Sequence, residues 1–172
     1  MRLNDRVRRR LTDQLAPGET IEAAVGLANQ IGASSASSDG SVRASTSSAL
    51  GTPYARALGI DLTDPRHRSD LMSSWCTITD RRLLFHEPHP WNIRPTPGKL
   101  ITELPRGGVT LHYFDVGGLG LSNRVIHLDF PDGTRLVSAT MLKATLRKRN
   151  YTDEPDLFVE AFGDHAHLVD DG

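Results

Sequence analysis

Apolar residues recur at every fourth position near the start of the chain. The stripe consists of Leu3, Val7, Leu11 and Leu15, and Pro17-Gly18 follows it. This spacing predicts an amphipathic helix over residues 2–15 that ends at the proline. The stripe is narrow and contains neither Trp nor Phe. It therefore favours packing against the protein's own sheet or against a partner chain, and its four residues are candidate partner-helix residues.

The pattern then changes to the alternation of apolar and polar residues that is typical of strands. Residues 20–27 alternate in this way and predict a first, half-buried strand. Further strands are predicted at Leu71–Thr79, Leu83–His86, Lys99–Leu104, Val109–Phe114, Arg124–Phe130 and Arg135–Ala139. Polar or glycine-containing turns separate these segments, which indicates consecutive antiparallel pairing. Met141 to Arg149 is interpreted as a separate short helix.

Two other regions have distinct patterns. Residues 28–70 begin with a long run of Gly, Ala and Ser, which buries too little apolar surface to offset its ordering entropy. The sequence therefore predicts a flexible insertion here, with a short helix near residues 54–62. Near the end, Pro155 and a stripe containing Phe158 and Phe162 predict a final helix that Gly163 terminates. Residues 164–172 are expected to form a frayed acidic tail.

Composition narrows the class of protein. The 172 residues carry a formal net charge of −1, which argues against a protein that coats nucleic acid. No apolar stretch approaches the roughly 20 residues of a membrane span. The Arg-rich start of the chain is too polar to lead into a signal-peptide core. Cys76 is the single cysteine, so neither an internal disulfide nor an all-cysteine metal site can form. A cytoplasmic protein with one core is expected.

The segment from Trp75 to Phe85, Trp-Cys-Thr-Ile-Thr-Asp-Arg-Arg-Leu-Leu-Phe, resembles a hairpin of bacterial pleckstrin-homology-like domains, which are related to GRAM domains. Other segments resemble further parts of this family in the same order, namely Leu15–Ile21, Leu100–Val109, Leu128–Gly133 and the closing helix Phe158–Phe162. The resemblance covers residues 11–27 and 71–163.

This resemblance implies an α+β fold. The expected architecture is a small antiparallel β-barrel that a C-terminal helix caps, with an N-terminal helix and the long insertion after the first strand. The corresponding organisation is a helix at 1–16, a barrel domain at 17–163 interrupted by the insertion at 28–70, and the acidic tail at 164–172.

Members of this family are binding and docking modules, so the resemblance implies a non-enzymatic module that engages a protein partner or associates with itself. It implies no cofactor and no metal. The motifs agree, because the chain contains no Gly-x-Ser-x-Gly elbow and no Walker loop. The glycines of Gly118–Asn123 lack the third glycine of the dinucleotide-binding pattern, which indicates a hairpin turn instead.

A second hypothesis is a peripheral adaptor at the inner face of the membrane that binds anionic phospholipid through Arg-rich patches near residues 2–10, 66–68 and 143–149. Arginine offers forked donors to phosphate, although the run of lysines that is typical of lipid-binding relatives is absent. The candidate anion-binding residues are Arg66, Arg68, Arg81, Arg82, Lys143, Arg147, Lys148 and Arg149. The competing interpretation treats Arg81 and Arg82 as ordinary turn residues.

A third and least favoured hypothesis is an enzyme with a histidine-based metal site. His86 and His89 lie close together in sequence, and His112, His127 and Cys76 lie on nearby predicted strands. A zinc site needs three or four ligands that converge. The prolines around His89 exclude the helical spacing of His-Glu-x-x-His sites.

Overall fold

The described residues form two four-stranded sheets and three α-helices. A computed structural model describes residues 3–28, 53–88, 97–118, 121–144 and 154–170. The helices are α1 (Leu3–Leu11), α2 (Pro53–Ala57) and α3 (Glu154–Phe162). The strands are β1 (Ile21–Gly26), β2 (Trp75–Thr79), β3 (Arg82–Pro88), β4 (Pro97–Pro105), β5 (Thr110–Gly118), β6 (Leu121–Asp129), β7 (Arg135–Ala144) and β8 (Ala166–Leu168).

The first sheet has the order β1-β2-β3-β4 and is antiparallel throughout. The second has the order β7-β6-β5-β8, in which β8 runs parallel to β5. The predicted α+β class is confirmed. The described strands form no closed barrel but two sheets, which the bridge between Ala28 and Ala139 connects, so the small capped barrel stays a prediction.

The core lies between the two sheets. Alternate residues of the first sheet, such as Ile78 and Phe85, point inward and meet Leu111 and Ile126 of the second. Phe158 of α3 packs into the same cluster and is fully buried. This arrangement follows from the period-2 alternation of side chains along each strand, which gives both sheets an apolar inner face.

The outer face of the first sheet is covered by α1. Val7 and Leu11 are both 0% exposed and pack against Ile21 and Trp75. Of the two alternatives for the stripe, these two side chains therefore take the first, packing against the protein's own sheet. Leu15 is partly buried in the same cluster, and the side chain of Leu3 lies outside the described residues.

The outer face of the second sheet is covered by residues that the sequence assigns to the flexible insertion. The ring of Tyr54 in α2 stacks on that of Phe114 with centroids 5.2 Å apart. His67 is buried, and its Nε2 accepts a hydrogen bond of 3.1 Å from the backbone N–H of Val137. Residues 53–70 are therefore packed, contrary to the expectation, while residues 29–52 lie outside the described part of the chain.

Two further local expectations are wrong because long-range strand pairing prevails over local composition. The sequence predicts a short helix from Met141 to Arg149, but β7 continues as a strand through Ala144 opposite β6. The predicted frayed tail contains β8, which pairs with β5, and the N–H of Val169 extends this pairing with a 2.9 Å hydrogen bond to the Tyr113 carbonyl.

We predict that Leu11→Ala destabilises the domain by about 2–5 kcal/mol, because it opens a cavity between α1 and the first sheet. Urea denaturation followed by circular dichroism measures this change. Arg9→Ala, on the exposed side of the same helix, serves as the control and should change stability by less than about 0.5 kcal/mol. Equal stability of the two variants would contradict the packing of α1.

Candidate binding cleft

The turn between β2 and β3 is organised by Thr79. Its hydroxyl oxygen accepts hydrogen bonds from the backbone N–H groups of Arg81 (3.2 Å) and Arg82 (2.9 Å). Outside the turn, Oδ1 of Asp80 accepts a 2.8 Å hydrogen bond from the N–H of Thr20. The turn is thus held both internally and against the start of β1.

A buried carboxylate lies directly behind this turn. The side chain of Glu19 is 0% exposed, and its two oxygens accept hydrogen bonds of 2.9 Å each from Nε and Nη2 of Arg82. The Thr79 hydroxyl and the Ala16 N–H also donate to it. The hydrogen bond from Arg82, more than any other contact, lowers the pKa of Glu19 to about 2. Glu19 is therefore ionised at neutral pH, as such a pair requires.

Most of the N–H donors of Arg82 are used within the protein. Besides Glu19, its guanidinium donates a 2.9 Å hydrogen bond to the Gln14 carbonyl and forms an ion pair with Glu103. Its side chain joins the end of the N-terminal segment, the hairpin turn and β4. The sequence-based candidate Arg82 is thus a structural residue.

The side chain of Arg81 extends towards the surface and is more accessible to a ligand than that of Arg82. Its side chain is 52% exposed, and its Nη2 donates a single hydrogen bond of 3.3 Å to the Pro17 carbonyl. The nearest carboxylate oxygen, Oδ2 of Asp80, lies 3.8 Å from Nε, beyond hydrogen-bond distance. Asp80 is thus a loose ion-pair partner, and most of the N–H donors of Arg81 make no hydrogen bond to a described residue.

Arg81 opens onto a cleft of about 270 Å³. The cleft lies where the β2–β3 turn, the β4–β5 turn and the end of α3 meet. Its lining residues are Asp80, Arg81, Arg106, Gly107, Gly108, Val109, Phe162 and His165. Two guanidiniums thus face one carboxylate, and Val109 and Phe162 supply apolar surface.

Arg106 forms a wall of the cleft and is held by three partners. Its Nη1 donates to the Thr79 carbonyl at 2.9 Å and lies 2.8 Å from a Glu22 carboxylate oxygen. Its Nη2 donates to the Ala161 carbonyl in the last turn of α3. A cation at this position also complements the negative end of the helix dipole. Arg106 therefore fixes α3 relative to the hairpin.

The remaining wall is a glycine turn. Gly108 has a φ of +77°, and a Cβ at this position would lie 3.0 Å from Cγ of Pro131. Glycine is thus required both by the backbone conformation and by the close approach of Pro131. Within the described part of the chain, the N–H groups of Gly107 and Gly108 have no hydrogen-bond acceptor.

The other predicted anion-binding residues do not join this cleft. Arg66 forms an ion pair with Asp64 at 2.6 Å, and Arg68 forms one with Asp70 at 2.8 Å. Both lie on the segment that runs beside β7, where the Arg66 carbonyl accepts a hydrogen bond from the Arg135 N–H. Lys143 lies on β7 opposite Ser122 on β6, with its side chain outside the described residues, and Arg147, Lys148 and Arg149 lie outside them entirely.

The histidines do not form a metal centre in the described residues. His86 is buried with its Nε2 2.9 Å from Oε1 of Gln14, and burial lowers its pKa to about 4. The thiol of Cys76 is buried in the core, and this burial raises its pKa. His89 lies outside the described residues.

His112 and His127 are neighbours across β5 and β6, and His167 on β8 extends the row, with ring centroids 5.9 and 5.3 Å apart. Burial lowers the pKa of His127, although Asp129, with an oxygen 3.3 Å from its Nε2, opposes this effect. No three His, Cys, Asp or Glu side chains in the described ranges are arranged to hold a metal ion.

Most of the cleft was missed at the level of sequence. Arg81 was a candidate, but Arg106, Gly107, Gly108 and His165 were not. One feature of the sequence indicates the cleft: Pro105, which ends a strand, is followed by Arg106 and then by two glycines. Their proximity to Arg81 depends on the pairing of β3 with β4, where Arg82 lies opposite Pro105.

Comparisons with known proteins give no family assignment. No family model matches the chain, and neither a curated protein nor a solved structure matches it. Among the described helices, none combines the length and the apolar character needed to cross a membrane.

We predict that Glu19→Gln lowers the free energy of unfolding at pH 7 by about 2–3 kcal/mol, because it leaves Arg82 without its buried counter-ion. Since folding lowers the pKa of Glu19 from 4.5 to about 2, its stabilising contribution is complete above pH 4.5 and is lost as the pH falls towards 2. The difference between wild type and variant should therefore shrink over that interval.

Urea denaturation at pH 7 and near pH 3 tests this expectation. Glu103→Gln is the matched control, because Glu103 pairs with the same arginine from an exposed position and its loss should cost less than about 1 kcal/mol. A constant difference between wild type and Glu19→Gln at both pH values would contradict the assigned role.

Proposed function

We propose that the protein is a non-catalytic interaction module with a pleckstrin-homology-like arrangement, and that it docks a protein partner at the cleft beside Arg81. The observation that carries this proposal is the guanidinium of Arg81, which is half exposed at a cleft, donates one hydrogen bond to the Pro17 carbonyl and has its ion-pair partner Asp80 at 3.8 Å, outside hydrogen-bond distance. Neighbouring Arg82 and Arg106 are held by acidic residues and backbone carbonyls of the same chain.

The order of elements supports the pleckstrin-homology-like part of the proposal. One antiparallel sheet of four consecutive strands is followed by three more antiparallel strands and a closing helix. Phe158 and Phe162 of that helix pack into the core between the sheets, in the capping role that the resemblance implies. The resembling hairpin also contains Asp80 and Arg81 of the cleft.

The distribution of charge favours a protein partner over an anionic membrane. Recognition of anionic lipid relies on clusters of about four to eight basic side chains that act together. Arg66, Arg68 and Arg82 are each paired with a carboxylate, so these three candidates do not act together as a cluster of free basic groups. The guanidinium of Arg81, which keeps most of its donors free of hydrogen bonds, suits a directed contact with one acidic group of a protein.

Affinity capture with three baits tests the docking site. Wild type and Arg66→Glu should retain the same partner protein. Arg81→Glu should retain at least about tenfold less of it, because repulsion replaces the attraction between Arg81 and an acidic group of the partner. Arg66→Glu is the matched control, since it reverses the charge of an exposed arginine outside the cleft. Equal retention by all three baits would overturn the proposed site, provided that their thermal melting curves agree.

Liposome co-sedimentation tests the membrane alternative. The protein should remain in the supernatant with both neutral and anionic vesicles at about 0.15 M salt. Binding to anionic vesicles that disappears at high salt would instead identify a peripheral membrane adaptor, because surface attraction of that kind is screened by salt.

A further inference from the structure

The donors that Arg81 leaves free define what can occupy the cleft. A guanidinium carries five N–H donors, and Arg81 uses one of them on the Pro17 carbonyl. The free donors suit two parallel hydrogen bonds to the two oxygens of one planar group. Gly107 and Gly108 also line the cleft, and their exposed N–H groups donate to no other described residue. The donors in this part of the cleft therefore suit an anion that can accept several hydrogen bonds.

The charges around the cleft determine how much negative charge a bound group can carry. Asp80 is part of the lining, and its carboxylate is held in place by the N–H of Thr20. Arg106 is already paired with Glu22, so its charge is largely compensated. Because Asp80 keeps a negative charge beside Arg81, the cleft has little excess positive charge and favours a monoanion over the nearly doubly charged phosphate group.

The dimensions and the apolar lining restrict the occupant further. A cavity of about 270 Å³ lies just below the range of sites that bind drug-sized molecules, which begins near 300 Å³. It therefore suits one or two side chains rather than an extended ligand. Val109 and Phe162 provide apolar surface next to the polar wall, so an occupant with an apolar part is favoured.

We infer that the cleft binds the carboxylate of an acidic residue in the partner protein, with an apolar side chain next to it in the partner's sequence. The carboxylate pairs with Arg81 and the apolar side chain contacts the surface that Val109 and Phe162 contribute. This inference rests on the proposed docking function and adds the chemistry of the group that is recognised.

Titration of the full-length, ¹⁵N-labelled protein with two short peptides tests the inference. The probes are acetyl-Phe-Glu-amide and acetyl-Phe-Gln-amide, which differ only in the charge of one side chain. The glutamate peptide should cause saturable shifts of the Gly107 and Gly108 N–H signals and should bind at least about tenfold more tightly than the glutamine peptide, because a charge-assisted hydrogen bond is lost in the latter.

Variants and a third probe complete the test. Arg81→Gln should abolish the preference for the glutamate peptide, whereas Arg66→Gln should preserve it. Inorganic phosphate should shift the same signals less than the glutamate peptide does. Equal binding of both peptides, a preference that survives in Arg81→Gln, or a stronger response to phosphate would each overturn the assignment of a carboxylate.

The peptide titrations and the affinity capture test different claims, so a failure of one can be told from a failure of the other. If Arg81→Glu loses the captured partner while the peptides show no preference for glutamate, the docking site stands and the carboxylate inference fails. If the peptides show the preference while capture is equal for all baits, the chemistry of the cleft stands and the docking function fails.

Discussion

The structure around the candidate cleft depends on one buried carboxylate. Glu19 is enclosed behind the β2–β3 turn, and an unpaired charge in such a place is costly. Arg82, Thr79 and the backbone at Ala16 together satisfy it. Because these partners come from separate parts of the chain, satisfying one carboxylate brings the N-terminal segment and the hairpin together. The cleft exists at the surface of this arrangement.

This constraint separates the roles of two adjacent arginines. The Thr79 hydroxyl holds both of their N–H groups, but the turn directs Arg82 inward to Glu19 and leaves Arg81 at the surface. A guanidinium that is tied to carboxylates and carbonyls has little left for a ligand, whereas one with a single carbonyl partner retains most of its donors. Position within the turn, and not residue type, distinguishes the structural residue from the candidate binding residue.

Sequence patterns located most strands and both long helices because their apolar spacing is regular. Sequence patterns do not predict the structure of segments that lack a regular spacing of apolar residues. Residues 53–70 looked like part of a flexible insertion, yet Tyr54 and His67 cover the outer face of the second sheet. The three residues of β8 looked like a frayed tail, yet they complete the edge beside β5. In both cases the stabilising partner is far away in the chain, so local composition does not reveal it.

The sequence by itself determined the α+β class, the antiparallel hairpins and the position of the turn at Asp80, Arg81 and Arg82, because turn chemistry and side-chain periodicity are local properties. Only the tertiary structure decided that the strands form two sheets, that the apolar stripe of α1 is enclosed, and that Arg81 faces Gly107, Gly108 and Phe162 across a cleft. These features depend on which distant segments meet. That choice is made by the burial of apolar faces and by the pairing of buried charges across the whole chain.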